Sequence, residues 1–249
     1  VANVFYGLAA ASAVGAVLPD TPRVDYRFWQ NFPLPCDVDV IVCVHNALED
    51  VRRCLSSVVR YSVRCRLIIV DDGSRDDTRD YLQTFAHEQG ATLIRNEVAR
   101  GYTFAANQGL RAATGGYVVL LNSDTIVTLG WVEKLVACAE SDPAIGLVGP
   151  LSNTASWQSI PEIEEDGDWA INALPSGVTI ADMGSLIARH ASHGYPRMSF
   201  LNGFCLMLRR AVMDEIGIFD EAAFGRGYGE ENDYCLRARK AGWELALAD

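Results

Sequence analysis

From Asp37 onward the chain alternates short apolar runs with amphipathic stretches, and this alternation constrains the fold more than any other feature. Val38–Val44 is a β-branched run that reads as a buried strand. Leu48–Arg60 follows with Val51, Leu55, Val58 and Val59 at helical spacing. Arg66–Val70 is a second strand ending in Asp71-Asp72-Gly73-Ser74, and Asp76–Gln89 is a helix with Tyr81, Leu82 and Phe85 on its apolar face. Ala91–Ile94, Gly101–Thr114, Tyr117–Leu121, Leu129–Ala139 and Ile145–Val148 continue as strand, helix, strand, helix, strand. Such a succession predicts βαβ units and a mainly parallel sheet flanked by helices.

The second half is less regular. Residues 151–198 are rich in Ser, Asn, Gly and Pro, with one helical stretch near Ile180–Arg189. Phe200–Leu208 reads as a strand, Arg210–Ile216 as a short helix closed by Gly217, and Glu231–Ala241 as a helix capped by Gly242. The expected division is 1–36 as an N-terminal helix and linker, then one domain over 37–249. Within it, 151–249 reads as an elaboration on the same sheet as 37–150.

Val4–Leu18 is apolar but rich in Ala and Gly, and shorter than the roughly 20 residues that span a bilayer. It reads as a helix packing on this domain or a neighbour, with peripheral membrane contact as the other reading. Pro19, Pro22, Pro33 and Pro35 mark an extended linker. Val1 is not a methionine and the chain stops just after the strand-like run Trp243–Ala248, so a longer native protein is expected at the C-terminus.

Charge narrows the partners. Lys plus Arg is 21 and Asp plus Glu is 32, a net charge of −11, which repels a nucleic-acid polymer but leaves room for a small anion in a local pocket. The seven cysteines show no C-x-x-C pair and no zinc-finger spacing, so a reducing, cytoplasmic setting without a disulfide framework is expected, with the inner membrane face as an open alternative.

In an open parallel sheet, ligands bind beyond the carboxyl ends of the strands. His45 and Asn46 follow the first strand, Asp71 and Asp72 end the second, Arg100 and Gly101 precede the third helix, and Asn122, Ser123 and Asp124 follow the fourth strand. The first turn lacks the glycines of a dinucleotide-binding loop, and no P-loop occurs anywhere. Phosphates would then be neutralised by a divalent cation on side-chain oxygens, for which Asn122-x-Asp124 is a short candidate turn. Glu230-Glu231-Asn232-Asp233 opens a helix just after the glycine-rich Phe224–Gly229. Three acids in four residues exceed what helix capping requires, and a carboxylate there can serve as a general base.

Together these residues resemble the inverting family 2 glycosyltransferases of the GT-A fold. The resemblance runs from about Val38 to Trp243. It rests on Val40–Asn46, Ile68–Ser74 with Asp77-Thr78, Arg95-Asn96, and Gly101 through Ala105-Ala106-Asn107 and Gly109. Leu120–Asp124, Gly203–Arg210, Gly217–Glu221 and Glu230–Arg239 complete it.

The resemblance implies a Rossmann-like nucleotide-binding half over 37–150 and an acceptor and catalytic half over 151–249. It also implies a nucleotide diphosphate-sugar donor, a saccharide or lipid-linked saccharide acceptor, and Mg²⁺ or Mn²⁺. By position, Val44, His45, Asn46, Asp71 and Asp72 would bind the nucleotide base, His45 by stacking. Arg100, Gly101, Asn107, Asn122 and Ser123 would line the nucleotide and ribose, and Asp124 would hold the metal. Glu231 would be the base, with Glu230 as runner-up. Asn202, Gly203, Phe204 and Asp233 would meet the donor sugar or acceptor. Asn122 departs from the family's D-x-D, and no histidine follows His193 to supply a late metal ligand. Two rivals stand beside the transferase: a non-catalytic nucleotide-sugar-binding or scaffold module, and a sugar-phosphate nucleotidyltransferase. The latter would need a Gly-rich basic loop after the first strand, which is absent.

Overall fold

A computed structural model describes Trp29, residues 32–62 and residues 64–249. The expected helix at Val4–Leu18 and most of the linker lie outside these residues. The first half alternates as the pattern predicts: β1 (Val38–Val44), α1 (Leu48–Tyr61), β2 (Arg66–Asp72), α2 (Asp76–Gln89), β3 (Thr92–Asn96) and α3 (Tyr102–Ala112). It continues with β4 (Tyr117–Asn122), α4 (Trp131–Glu140) and β5 (Ile145–Pro150). The second half adds the hairpin strands β6 (Glu164–Glu165) and β7 (Asp168–Trp169), then α5 (Ile180–His190), β8 (Arg197–Met198), β9 (Cys205–Arg209), α6 (Arg210–Ile216), α7 (Glu230–Lys240) and β10 (Glu244–Ala248).

Eight strands make one sheet in the order β3-β2-β1-β4-β9-β5-β10-β8. β1 pairs in parallel with β2 and β4, β2 with β3, and β5 with β10. β9 runs antiparallel between β4 and β5, and β8 antiparallel at the edge. Strands of both halves therefore share one sheet. Among the described residues, no helix is long and apolar enough to cross a membrane.

The β-branched runs explain the layering. Val40, Val42 and Val44 point into one apolar layer with Val51, Leu55 and Trp131, while Ile41, Ile68 and Val70 point into the other with Ala105, Leu110 and Leu206. A strand buried on both faces reads as a continuous apolar run, as β1 does. Gly109 is what lets α3 lie this close: a Cβ there would sit 2.4 Å from Ile41 Cγ2. Asp39 is the polar exception in β1. It is fully buried, and its carboxylate accepts from the Arg66 guanidinium and from the Thr114 and Gly115 N–H groups at 2.7 and 2.8 Å. Burial by itself would raise this carboxyl, but those bonds hold it below the ordinary range.

The strand expected over Phe200–Leu208 begins only at Cys205. Before it, Asn202 bends the chain: its backbone N–H donates to Gln158 Oε1, and its side-chain oxygen accepts from the Phe204 N–H. This local Asx-type bonding competes with a ladder.

Candidate active site

Two strand ends and two loops form the site. β1 and β2 lie side by side with Val44 opposite Asp71, so both chains emerge at one edge of the sheet. A cavity of about 380 Å³ opens there, lined by Val44, His45, Asp72, Arg100, Tyr102 and Arg226 among others.

His45 is exposed and held in a fixed orientation. Its Nδ1 lies 2.7 Å from the Asp72 carbonyl, which can only accept, so Nδ1 carries the proton. Nε2 then accepts from the Asn46 side-chain amide at 3.0 Å. Both ring nitrogens are occupied at the edge, which leaves the ring face as the surface a ligand can use. Asn46 in turn accepts from the Arg75 N–H, and its own N–H donates to Ser74 Oγ.

The adjacent acids, expected at the nucleotide, are both bonded within the protein. Asp71 is fully buried. One of its oxygens accepts from the Ser74 N–H in an Asx turn around Gly73, and the other pairs with Arg95. Asp72 accepts from the backbone N–H groups of Arg100 and Gly101 and from the Asn96 amide, so it builds the Arg100–Gly101 turn. Gly101 has φ +102, and a Cβ there would lie 2.6 Å from Arg226 Cα. This close crossing joins α3 to the glycine-rich loop: the Tyr102 N–H donates to the Arg226 carbonyl at 3.2 Å and the Thr103 hydroxyl to the Phe224 carbonyl at 2.7 Å.

Asn107 sits off this cavity. Its amide donates to the Phe219 carbonyl and to Glu221, and its oxygen accepts from the Phe219 N–H, which ties α3 to the chain before α7.

Beyond β4, the turn Asn122-Ser123-Asp124 closes with the Thr125 N–H donating to the Asn122 carbonyl. Asp124 Oδ1 is buried with no hydrogen-bond partner among the described residues. Desolvation lifts its carboxyl above the ordinary carboxylate range. Such an orphaned anionic oxygen fits a divalent cation as its missing partner. No group of three or more His, Cys, Asp or Glu side chains is gathered for a metal among the described residues, so further ligands to such an ion would be neutral oxygens or ligand atoms.

The Asp124 turn and the acidic helix meet at one place. The Asn122 N–H donates to the Phe204 carbonyl at 2.8 Å. One residue earlier, Gly203 lies against Glu231, where a Cβ would be 3.4 Å from Cγ. The backbone of Phe204 makes this contact, while its ring is buried in the core beside Cys205 and Met207. Glu230 is buried and its Oε2 has no partner among the described residues. Burial, reinforced by the charge of Glu231, raises its carboxyl above the ordinary range. The Tyr102 hydroxyl is also pushed well above its usual value, first by burial and then by Cys43 and the two glutamates. Asp233 faces along its own helix, accepting from Arg237 at 2.7 Å, while Arg237 also holds the Ile216 and Ile218 carbonyls.

Residue-level reading missed Arg226 and Tyr102. The available signal was a cation embedded between Gly225 and Gly227, directly before the acid pair. Arg100 stacks over Phe104 at 3.2 Å, and neither Arg100 nor Arg226 forms an ion pair among the described residues. Glu221, whose carboxylate feels Arg100, pairs with Arg111 instead.

The profile described as "Glycosyl transferase family 2" matches residues 39–217. The chain belongs to glycosyl transferase family 2. Curated family members resemble it at moderate identity. The pre-mycofactocin glycosyltransferase of Mycobacterium tuberculosis is 27% identical over 212 residues, which is 84% of this chain and 40% of the relative. Glycosyltransferase AglE of Haloferax volcanii is 29% identical over 217 residues, 85% of this chain and 64% of the relative. The chain thus spans about two fifths to two thirds of these family 2 relatives. The mannosyltransferase PcManGT from Pyrobaculum calidifontis, solved with GDP-Man and Mn²⁺, superposes with a TM-score of 0.58 at 18% identity, over 89% of this chain and 61% of that one. Staphylococcus aureus TarS residues 1–349 gives the same TM-score at 15% identity, over 85% of this chain and 57% of that one. These likenesses establish the GT-A type of α/β fold.

Proposed function

We propose that this chain transfers a sugar from a nucleotide diphosphate-sugar to a hydroxyl of a saccharide or lipid-linked saccharide acceptor, with inversion at the anomeric carbon. The observation that carries this reading is a pair of orphaned buried carboxylate oxygens, on Asp124 and Glu230, at the sheet edge that bears the cavity. Burying such groups without partners costs stability, so their retention points to a ligand that supplies them.

His45 presents its ring face to the base, and Asp72 fixes the turn that places Arg100. Asn122, Ser123 and the Gly101 backbone border the ribose and phosphates. Arg100 and Arg226 offset the charge of the departing diphosphate, which is the larger electrostatic contribution to such a reaction. Asp124 would hold Mg²⁺ or Mn²⁺ with the Asn122 amide oxygen beside it, and the ion adds charge neutralisation at the diphosphate. Glu231, beside Gly203, takes the acceptor proton as that oxygen attacks from the face opposite the diphosphate. Glu230, the runner-up for that base, has a buried Oε2 free to accept from the bound sugar or acceptor, and partly buried Tyr102 lines the cavity beside it. Asp233 sets the helix, and Asn202 sets the bend before β9.

The relative PcManGT was solved with GDP-Man and Mn²⁺, which supports the donor class and the ion. A second reading, a non-catalytic nucleotide-sugar-binding module, draws on the uncharged Asn122. A thermal-shift panel of nucleoside diphosphates with and without Mn²⁺ tests binding, because a ligand of the native state raises apparent stability. A metal-dependent rise with at least one diphosphate is expected, and donor hydrolysis then separates enzyme from module. No shift with any diphosphate would overturn the reading.

A further inference from the structure

We infer that Trp157, Trp169 and Phe200 form an aromatic platform that seats a neutral saccharide ring of the acceptor beside Glu231. The inference rests on the transferase reading for its reaction, but it arises from a separate part of the molecule. The hairpin β6–β7 turns through Asp166 and Gly167, both at positive φ, as a two-residue hairpin loop requires. It carries Trp169, 48% exposed, to within 6.0 Å of Trp157 at an interplanar angle of 79°. Trp157 in turn lies 6.5 Å from Phe200, and its indole N–H donates to the Phe200 carbonyl at 3.1 Å. Three rings thus stand in sequence on the surface, fixed before any ligand arrives.

The base of the hairpin is equally fixed. Asn172 bonds to the Asn153 and Glu162 carbonyls and accepts from the Glu162 N–H. Pre-organised aromatic surface of this kind binds with little ordering cost.

Position ties the platform to the chemistry. Phe200 precedes Gly203 by three residues, and Gly203 is the residue that touches Glu231. Between them, Asn202 is pinned by Gln158, the neighbour of Trp157. A ring resting on the platform therefore lies along the chain segment that adjoins the base.

Charge selects the occupant. The segment that leads into and through the hairpin bears five exposed carboxylates, Glu162, Glu164, Glu165, Asp166 and Asp168, which outnumber the Arg239 guanidinium that donates to the Ser199 carbonyl next to Phe200. Such a border repels anionic headgroups and phosphates. A pyranose presents an apolar C–H face to the rings and hydroxyls to the carboxylates, so it satisfies both.

The test uses the whole chain and a panel of neutral saccharides: methyl glycosides and short oligomers of glucose, mannose, galactose and N-acetylglucosamine. Tryptophan fluorescence is titrated with each, without donor, and acceptor-dependent release of nucleoside diphosphate is measured with the donor that the thermal-shift panel selects. At least one saccharide should perturb the fluorescence, and Trp169→Phe should abolish the Trp169 part of that signal. Trp169→Ala should raise the acceptor KM about tenfold with the donor KM within about twofold, and Trp169→Phe should restore most of it. Trp169 is exposed, so both variants are expected to fold. The platform is overturned if no saccharide perturbs the fluorescence, if Trp169→Ala leaves acceptor KM unchanged, or if zwitterionic phospholipid vesicles or self-association perturb Trp169 instead. A protein that binds saccharide here but no nucleoside diphosphate would sink the transferase reading alone.

Discussion

Glu231 lies over Gly203, where an added methyl would meet it in ordinary contact, 3.4 Å from its Cγ and 3.7 Å from its carboxyl carbon. The helix that carries the acid and the loop that enters β9 therefore adjoin beside that side chain.

Replacing Glu231 by Gln keeps the shape and removes the proton acceptor. Turnover should fall at least about 10²-fold while donor affinity holds, the usual scale for a general base. Gly203→Ala adds a methyl at ordinary contact distance from that side chain, so its loss should be much smaller. Steady-state kinetics beside nucleotide binding by calorimetry checks both; unchanged turnover in E231Q would remove Glu231 from the base role.

Asp124→Asn should divide function from stability. Burial raises the native carboxyl, so the folded state holds that proton more tightly than the unfolded chain. Its contribution favours folding below the ordinary value of 3.8 and becomes a cost as pH rises past the raised native value. At pH 7 the Asn variant lacks that cost, so without ligand its Tm should exceed the wild type, and the two should converge towards pH 4. The Mn²⁺-dependent part of the nucleotide thermal shift should vanish. A lower Tm for the variant across the whole pH range would contradict the burial argument.

Gly101→Ala places a Cβ 2.6 Å from Arg226 Cα at a φ of +102, so backbone must move on one side or the other. We expect a loss of about 1–3 kcal/mol in urea unfolding. Nucleotide affinity should fall as well, because the turn holding Arg100 and the loop holding Arg226 part together. Equal affinity in the folded variant would separate Arg226 from nucleotide binding.

Asp39→Ala tests the fold without touching the cavity, since Asp39 is the second residue of the strand that Val44 ends. It strands two backbone N–H groups and a guanidinium that the carboxylate satisfies. Arg66 is half exposed and regains water, so the loss, about 1–3 kcal/mol, comes chiefly from the unpaired N–H groups. Chemical denaturation should show that loss, with nucleotide binding by the folded fraction unchanged.

The apolar runs made the sheet legible, because a strand buried on both faces leaves an unbroken signature, as Val38–Val44 does. The antiparallel course of β9 was not legible: Cys205–Arg209 carries the same apolar composition as a parallel strand, and direction depends on where the preceding loop returns. Within the site, residues standing after strand ends could be found by position. What Asp71 and Asn107 bond to could not, because Arg95 and Phe219 reach them only in three dimensions. Phe204 stands just before β9, and its ring packs in the same layer as Cys205 and Met207, a placement that strand alternation alone does not give. Arg226 went unseen because one cation in a glycine-rich stretch has no periodicity to betray it.

The crossing of Gly101 beneath Arg226 has a consequence for engineering hybrids. Exchanging residues 37–150 between relatives to alter donor preference would transplant one side of that crossing and leave the other behind. Recombination should succeed only where the segment 224–229 travels with the nucleotide half, making that short stretch an obligatory passenger although it is more than a hundred positions away along the polypeptide.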